Sequence, residues 1–427
     1  MSRVRGFGRS VWVDDPERVT PNGIAGLPDD VGVTIRGGGC SYGDAAIGQC
    51  VLHIPPSPIP VLQADILRVE SVVSLCGSAT IQDCDSALRS FGMMLPVVPG
   101  TARATIAGCI ANDVHGKNQH VSGTFSTHVS KIALRLEGGR VAETVPGERL
   151  FMATVGGLGT TGVILGADIR LVSDLGSAFL VTETKTRNLT ETLSGLSQSN
   201  YSVAWVDMSA ETAAVGRAIV IDGEPTKQRV RPAPQRKAVP VALPLVNSFT
   251  SRAFCALKYH TAPETKTRLV SRDQFLYPLD RLAGWPSLYG RQGLVQFHAV
   301  FPDSIGEAAV REALLRIKAH GHCSPLAILK RFGPQERTGY LGFVSQGVSL
   351  AVDLPASTQG LQTVRELGRY VAEVGGRVYP AKDQVITQCQ FQQMYKDGYP
   401  EQLAALDQYA PRRRWRSQMT ARYGLTP

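Results

Sequence analysis

The sequence lacks any uninterrupted apolar run near the ~18 residues that a membrane-spanning helix needs. Its first residues, MSRVRGFGR, are basic but are not followed by the apolar stretch of a secretory signal peptide. Its 8 cysteines form no CxxC pair and are too sparse for a small disulfide-stapled secreted domain. These absences predict a soluble, cytoplasmic protein whose cysteines are mostly small buried hydrophobic residues.

Charged residues make up only 19 % of the 427 residues and apolar residues 43 %, which excludes a disordered chain. The length exceeds what one hydrophobic core usually serves, so we expect two domains of about 150–250 residues. The 45 Lys and Arg against 36 Asp and Glu give a net charge of +9. This excess could favour phosphorylated small molecules or an anionic membrane. No nucleic-acid partner is expected, because the basic residues lack the aromatic interleaving of a single-strand binder.

Short β-like runs, helical segments and turn glycines alternate over the first ~170 residues. The middle of the chain has longer strand candidates beside two amphipathic helices, which predicts a sheet with helices packed on one face. The last fifty residues return to short helices. The predicted strands are 31–36, 51–54, 131–136, 162–172, 201–207, 294–301 and 347–354, and the predicted helices are 83–91, 147–154, 304–319 and 359–374.

Three patterns resemble common functional motifs but lack the context that those motifs need. The GxGxxG at residues 157–162 follows a helix-like segment and opens a β-rich run, the reverse of a Rossmann turn. The GxSxG at residues 39–43 is not followed by the helix of a hydrolase nucleophile elbow. His320, His322 and Cys323 lie too close together to face one ion easily, so we expect a loop at a helix end and no metal site.

Four loops of small residues nevertheless fall within about 130 residues of one another. They are RGGGCSYGD at 36–44, the stretch from PVVPGT at 96 to HGKN at 118, SGTFS at 122–126, and TVGGLG at 154–159. Glycine loops let successive backbone N–H groups converge on an anion and let a ligand approach the backbone closely. The set therefore predicts one large, extended ligand.

The order of these motifs resembles the FAD-linked oxidases of the vanillyl-alcohol-oxidase type, and within them the branch that works in arabinose-donor biosynthesis. The resemblance continues in YPLD at 277, VQF at 295, KRFG at 330, VD at 352 and YPAKD at 379, so it spans nearly the whole chain in order. HGKN together with the late YPAKD is its most specific part. The resemblance implies an α+β flavin-binding fold with an FAD domain at residues 1–176, a substrate domain at 177–376, and a segment 377–427 that completes the FAD domain.

The resemblance also assigns residues to the cofactor. The first loop would hold the pyrophosphate and the later loops would line the flavin. The residues expected to bind FAD are Arg36, Gly37, Gly38, Gly39, Cys40, Ser41, Tyr42, Gly100, Thr101, Thr105, Gly108, Asn112, His115, Ser122, Gly123, Thr124, Gly159, Gly162, Ile164 and Tyr379. Many relatives carry a flavin-attaching histidine after the paired glycines of the first loop, where this sequence has Cys40. We therefore expect non-covalent FAD, with Cys40 as a packing residue.

Lys382 is the first candidate for catalysis, since a lysine beside an oxidised flavin can hold the substrate hydroxyl or accept its proton. His115 and Lys117 are expected to supply further donors. The residues that match the family's substrate pocket are Tyr42, Trp205, Tyr277, Gln296, His298, Lys330, Phe332 and Lys382. His298 departs from the glutamine of the arabinose-pathway enzymes, which leaves the identity of the sugar open. Ala351 stands where mycobacterial members carry a cysteine, a change expected to leave catalysis untouched.

The resemblance implies FAD-dependent oxidation of a secondary hydroxyl, at C2 of a polyprenyl-phosphoryl ribose, to a ketone. A partner short-chain reductase would then complete the epimerisation to arabinose. Oxidation of a free sugar alcohol or another carbohydrate is the alternative. Five prolines and five cations (Lys227, Arg229, Arg231, Arg236 and Lys237) at residues 225–244 predict a mobile loop beside the substrate entrance, suited to an anionic headgroup or to peripheral contact with the inner membrane.

Overall fold

The structure is a computed structural model that describes residues 3–20, 27–28, 30–55, 57, 59–65, 71–230, 244–281 and 284–427. Most of the basic, proline-rich stretch predicted as a loop, residues 231–243, lies outside the described residues. No helix in the described ranges is long and apolar enough to cross a membrane.

The first 173 residues contribute four small sheets. A five-stranded sheet of order β10-β9-β11-β7-β6 is the largest, and a parallel sheet of order β3-β5-β4 stands beside the first glycine loop. β1 pairs with β2, and β8 pairs with β12. The strands are β1 (Arg3–Arg5), β2 (Trp12–Asp14), β3 (Glu17–Val19), β4 (Thr34–Arg36), β5 (Cys50–His53), β6 (Val61–Asp65), β7 (Val72–Cys76), β8 (Met93–Met94), β9 (Val129–Arg135), β10 (Val141–Thr144), β11 (Val163–Arg170) and β12 (Val172–Ser173).

One eight-stranded antiparallel sheet of order β16-β13-β15-β14-β18-β19-β17-β20 follows. Its strands β17 and β19 are buried along nearly their whole length, including the polar residues Gln296 and His298 of β17. The strands are β13 (Ala178–Thr186), β14 (Tyr201–Val206), β15 (Ala218–Thr226), β16 (Thr265–Ser271), β17 (Leu294–Pro302), β18 (Ala327–Phe332), β19 (Gly347–Pro355) and β20 (Arg377–Val378).

The helices bury one apolar stripe each. The helix α9 turns the face of Val364, Leu367 and Val371 towards β17, and Ser357 caps its N-terminus by accepting a hydrogen bond from Gly360 N. The helices are α1 (Ile81–Arg89), α2 (Ile106–Ala111), α3 (Gln119–Ser122), α4 (Arg149–Thr154), α5 (Leu189–Gly195), α6 (Ser248–Thr261), α7 (Arg272–Leu276), α8 (Gly306–Ala319), α9 (Thr358–Glu373), α10 (Gln388–Met394), α11 (Tyr399–Tyr409) and α12 (Gln418–Arg422).

The predicted elements are confirmed within a few residues at their ends, including the short C-terminal helices. The GxGxxG stretch lies between helix α4 and strand β11, so it is not the strand-to-helix turn of a Rossmann fold. Turns and not a helix follow the GxSxG stretch, so it is not a nucleophile elbow. The sequence missed several shorter elements and also four longer ones, β13, β15, β16 and α6. β16 is an edge strand exposed at its first four residues, and α6 buries Ser251, Cys255 and Tyr259, so neither carries the expected apolar pattern.

The C-terminal segment is tied to the first glycine loop by one buried ion network. The Arg422 guanidinium donates to the Asp44 carboxylate at 2.7 Å and to the Asp383 carboxylate at 2.7 Å. Tyr423 donates its hydroxyl to the same Asp383 carboxylate at 2.7 Å. Tyr42 N also donates to the Ala381 carbonyl at 2.9 Å. The first glycine loop and the YPAKD segment are therefore held beside each other. The proposed domain boundaries at 176 and 376 stay a prediction.

Replacing Arg422 with methionine should destabilise the protein strongly, because two nearly buried carboxylates would lose their shared cation. Removing one partner from a buried ion network costs about 3–5 kcal/mol. We expect a large drop in the thermal unfolding midpoint of the flavin-loaded protein. The matched control is Arg311→Met, which breaks an exposed pair with Glu307 on α8 and should barely move the midpoint. Equal midpoints for the two variants would contradict the assignment.

Candidate active site

A cavity of about 560 Å³ opens between the glycine loops and one face of the eight-stranded sheet. It joins segments that are far apart in the sequence, from the first loop to the YPAKD stretch. The predicted site residues that line it are Gly37, Gly38, Gly39, Cys40, Ser41, Tyr42, Gly100, Thr101, Thr105, Gly108, Asn112, His115, Lys117, Gly159, Gly162, Ile164, Trp205, Gln296, His298, Lys330, Tyr379 and Lys382.

The first glycine loop forms a tight wall with free donors. A Cβ at Gly37 would lie 2.5 Å from Thr105 Oγ1, and one at Gly38 would lie 2.3 Å from the Arg103 carbonyl. Gly39 has a φ of +63°, a conformation that L side chains rarely adopt. In the described part of the chain, the N–H groups of residues 37–41 donate no hydrogen bond to protein. Several adjacent free amides lining a cavity suit an anion such as a pyrophosphate.

The next wall is shaped for a large ligand with polar edges. Thr105 caps α2 by accepting a hydrogen bond from Gly108 N at 3.2 Å. A Cβ at Gly100 or Gly159 would meet nothing within 4 Å, so a side chain there would take up cavity space. Asn112 donates to the Gly108 carbonyl, while its buried Oδ1 has no partner. A buried orphan acceptor of this kind is costly unless a ligand donates to it.

Three buried lysines line the opposite side of the cavity. Burial lowers the pKa of Lys330 and of Lys382 to about 8, and burial together with nearby Lys330 lowers the pKa of Lys117 to about 7. Lys117 Nζ donates to the Phe275 carbonyl and lies 4.1 Å from the Phe275 ring centroid. Lys382 Nζ stands 3.6 Å from the centroid of the Tyr42 ring. Such a cluster attracts an anion and holds amines poised to exchange protons near neutral pH.

Asp353 is a fully buried carboxylate that interacts electrostatically with Lys382 of this cluster. It accepts hydrogen bonds from Trp285 Nε1 at 2.8 Å and from Gln296 Nε2. Burial raises its pKa to about 6, while those hydrogen bonds and Lys382 act in the opposite direction. At neutral pH Asp353 is therefore mostly ionised, so it fixes the Gln296 amide and offsets part of the charge of Lys382.

Two neutral histidines stand in an aromatic cluster beside the lysines. Burial first, and then the nearby lysines, lower the pKa values of His115 and His298 well below the ordinary value. The His115 ring centroid is 4.9 Å from that of Phe332 and 5.2 Å from that of Tyr379. His298 Nε2 lies 3.0 Å from Ser349 Oγ. The Nδ1 atom of each histidine is buried without a partner, so each can hydrogen-bond a ligand.

Several predicted residues stand behind the cavity wall instead of lining it. Arg36 donates to the carbonyls of Arg5 and Ala46 and so braces the first loop. Tyr277 donates to the Asp85 carboxylate at 2.8 Å, and Phe332 packs on His115. Thr124 forms a backbone bridge with His115, and Ser122 accepts a hydrogen bond from Asn118 Nδ2 at 3.0 Å. Gly123 lies between these two residues. Their roles toward cofactor or substrate stay predictions.

Other residues at the cavity were missed by sequence reasoning. Lys258 on α6 lines it, with Nζ 3.7 Å from the Trp205 ring centroid, and burial lowers its pKa to about 8. Glu183 and Arg268 pair at 2.7 Å across β13 and β16 at the cavity wall. Nothing in the sequence singled these residues out, because the elements that carry them lack a clear pattern.

Comparison with known proteins agrees with this geometry. Residues 28–144 match the model of an FAD binding domain. The chain is 33 % identical over 393 residues to the decaprenylphosphoryl-β-D-ribose oxidase of Mycolicibacterium smegmatis, covering 85 % of this chain and 83 % of that protein. It is 30 % identical over 361 residues to an uncharacterized protein in the mprA 5′ region of Streptomyces coelicolor, covering 78 % of this chain and 96 % of the relative. A D-lactate dehydrogenase of Archaeoglobus fulgidus is 28 % identical over 148 residues, 33 % of each chain.

The site and these matches define an FAD-dependent oxidoreductase that acts on CH–OH groups, built on the flavin-binding fold of the vanillyl-alcohol-oxidase type. Within that class the chain belongs to the decaprenylphosphoryl-β-D-ribose oxidase family. FAD is its cofactor.

The residues present fit FAD. The free amides of residues 37–41 suit its pyrophosphate, and the unpartnered Asn112 Oδ1 suits a donor on the flavin ring. The open space at Gly100 and Gly159 leaves room for a flat group against the backbone. Cys40, at the place of the attachment histidine, has its thiol pKa raised chiefly by burial, which disfavours the thiolate and supports a packing role.

We expect the flavin to be released when the protein is denatured in acid, because Cys40 stands where many flavoenzymes of this type have the histidine that attaches the flavin. After precipitation and centrifugation, the flavin absorbance should be in the supernatant and the pellet should show no flavin fluorescence. Cys40→Ser should release its flavin in the same way. Fluorescence that stays on the denatured chain would show that this prediction is wrong.

Proposed function

We propose that the protein oxidises the C2 hydroxyl of a polyprenyl-phosphoryl ribose to a ketone. The observation that carries this proposal is the cluster of Lys117, Lys330 and Lys382 in one cavity, where the buried Asp353 carboxylate offsets only part of the charge of Lys382. A phosphodiester that joins a sugar to a prenyl chain brings one negative charge to that excess of cations. The name of the mycobacterial relative, a decaprenylphosphoryl-ribose oxidase, supports the same substrate class.

The apolar part of the cavity supports a lipid-linked substrate. Beyond the lysines, the wall is formed by side chains of β14, β15, β16 and β18, namely Val203, Ile221, Val270 and Ile328. Covering such a surface with an apolar ligand group lowers the free energy of the complex by about 25 cal/mol for each Å² of apolar area removed from water. A prenyl chain is the part of the proposed substrate that can supply that area.

Bound FAD supplies the two-electron acceptor for the hydride that leaves the C2 carbon. In the proposed reaction Lys382 accepts the hydroxyl proton as the C–H bond breaks, which leaves a ketone. Its pKa of about 8 provides a neutral fraction near neutral pH, and the Tyr42 ring holds its Nζ in place. Lys117 and Lys330 hold the phosphate, and the free Nδ1 atoms of His115 and His298 orient sugar hydroxyls.

The proposal extends to the pathway partner. A 2-keto sugar must be reduced from the opposite face to give arabinose, so a short-chain reductase would consume this product. Oxidation of a free sugar alcohol is the second candidate, because His298 stands where the arabinose-pathway enzymes have glutamine and so leaves the identity of the sugar open. Anaerobic bleaching of the flavin by prenyl-phosphoryl ribose, and not by free ribose or alditols, is the expected result. The opposite preference would exclude the lipid-linked substrate.

Lys382→Ala should keep its FAD and lose substrate-driven bleaching. Removing a group that takes or positions the proton costs about 10²–10⁴-fold in rate. Stopped-flow absorbance under anaerobic conditions measures the reduction rate directly. Lys266→Ala on the exposed start of β16 is the matched control and should reduce at the normal rate. Near-normal reduction in Lys382→Ala would exclude the proposed role.

Affinity for an anionic ligand should fall as the pH rises. Lys330 binds a phosphate only when protonated, and its pKa of about 8 means that the charge is lost between pH 7 and 9. By linkage, the dissociation constant of an unreactive 2-deoxyribosyl phosphodiester should rise roughly tenfold over that range. Flavin absorbance changes report the binding. Neutral 2-deoxyribose, and the phosphodiester with the double variant K117M/K330M, should show a much flatter dependence, because Lys117 loses its charge over the same range. Equal slopes for all would contradict the phosphate role.

A further inference from the structure

Helix α6 turns large apolar side chains towards solvent and smaller or polar ones towards the protein. Its buried stripe consists of Ser251, Cys255 and Tyr259, while the opposite, solvent-facing stripe is Phe249, Ala253 and Leu257. Phe249 is 81 % exposed and Leu257 is 66 % exposed. A surface helix normally turns its apolar face inward, and the exposed stripe is extended by Leu245 and Phe254 at its sides. A contiguous exposed patch of this kind indicates a contact surface.

Helix α6 contains basic residues and no acidic residue. Arg252 is exposed beside the apolar stripe, and His260 is exposed in the last turn of the helix. Large apolar side chains on one helix face, flanked by cations, are the pattern of helices that lie in the interface of an anionic bilayer. A protein partner would need acidic groups matched to these positions, whereas anionic lipids supply negative charge anywhere on the surface.

The helix also forms part of the cavity wall. Lys258 lines the cavity, and the Phe254 ring lies 6.4 Å from the ring of Trp205, which lines it as well. The apolar residues Val203 and Ile221 continue the wall inward. A membrane surface at α6 would therefore lie at the end of the cavity that suits an apolar chain.

We propose that α6 is a docking element for an anionic membrane, with Phe249 and Leu257 inserted among the lipids and Arg252 at their headgroups. The idea that α6 helps to deliver a prenyl-linked substrate rests on the proposed function. The membrane binding itself does not depend on that function. The helix presents the cavity to the bilayer, so that a prenyl chain need not cross water on its way to the site.

The test is co-sedimentation of the flavin-loaded protein with vesicles of phosphatidylglycerol and phosphatidylcholine, without sugar substrate. The unmodified protein should bind these vesicles, bind pure phosphatidylcholine more weakly, and lose affinity as salt is raised. The double variant F249S/L257S should bind at least tenfold more weakly. The control is F91S/V141S, which removes two exposed apolar side chains elsewhere on the surface and should bind normally. Flavin content and unfolding midpoint check that all variants fold.

Equal vesicle binding by F249S/L257S and the unmodified protein would overturn the proposal. So would a change from dimer to monomer in F249S/L257S with no vesicle binding in the unmodified protein, since the face would then be a contact between copies. The same variant should reduce its flavin normally with a short, water-soluble prenyl-phosphoryl ribose. If no such substrate bleaches the flavin of any form while vesicle binding persists, the proposed function fails and the docking surface stands.

Discussion

The arrangement of the active site depends on the Arg422 network. Asp44 follows the first glycine loop and Asp383 follows Lys382, so one guanidinium holds the cofactor loop and the catalytic candidate in fixed positions. The burial that strengthens these ion pairs also makes each carboxylate costly without its partner. The pKa of Asp44 is raised by burial and lowered again by Arg422, which shows the two effects opposing each other at one group.

The residues that line the cavity lower the stability of the fold. Three lysines have lost most of their hydration, and Asp353 offsets only part of their charge. The buried Nδ1 atoms of His115 and His298 and the Oδ1 of Asn112 add unmade hydrogen bonds. The surrounding sheet offsets this cost, since most residues of β17 and β19 are apolar and both strands are buried along nearly their full length. Perturbed groups gathered in one cavity mark a functional site, because a merely structural core would not keep them.

The sequence predicted those elements that bury one continuous apolar face, because such a face leaves a regular pattern of apolar residues in the sequence. The helix α9 and the strand β17 have strong patterns because each buries a continuous apolar face, and both were predicted within two residues. The strand β16 and the helix α6 were not, since β16 is an exposed edge and α6 presents its large apolar residues to solvent. In both, the environment beyond the element decides which residues are buried.

The sequence by itself indicated the family and the cofactor and proposed the candidate site residues, because the glycine loops, HGKN and YPAKD each need particular residue types at fixed local spacing. Only the tertiary structure decided which of those residues line the cavity and which brace it. Arg36, Tyr277 and Phe332 share motifs with lining residues but lie behind the wall, and Lys258 lines it without belonging to any motif. The pKa values of the lysines were equally beyond the sequence, since desolvation depends on neighbours brought together from residues 42 to 382.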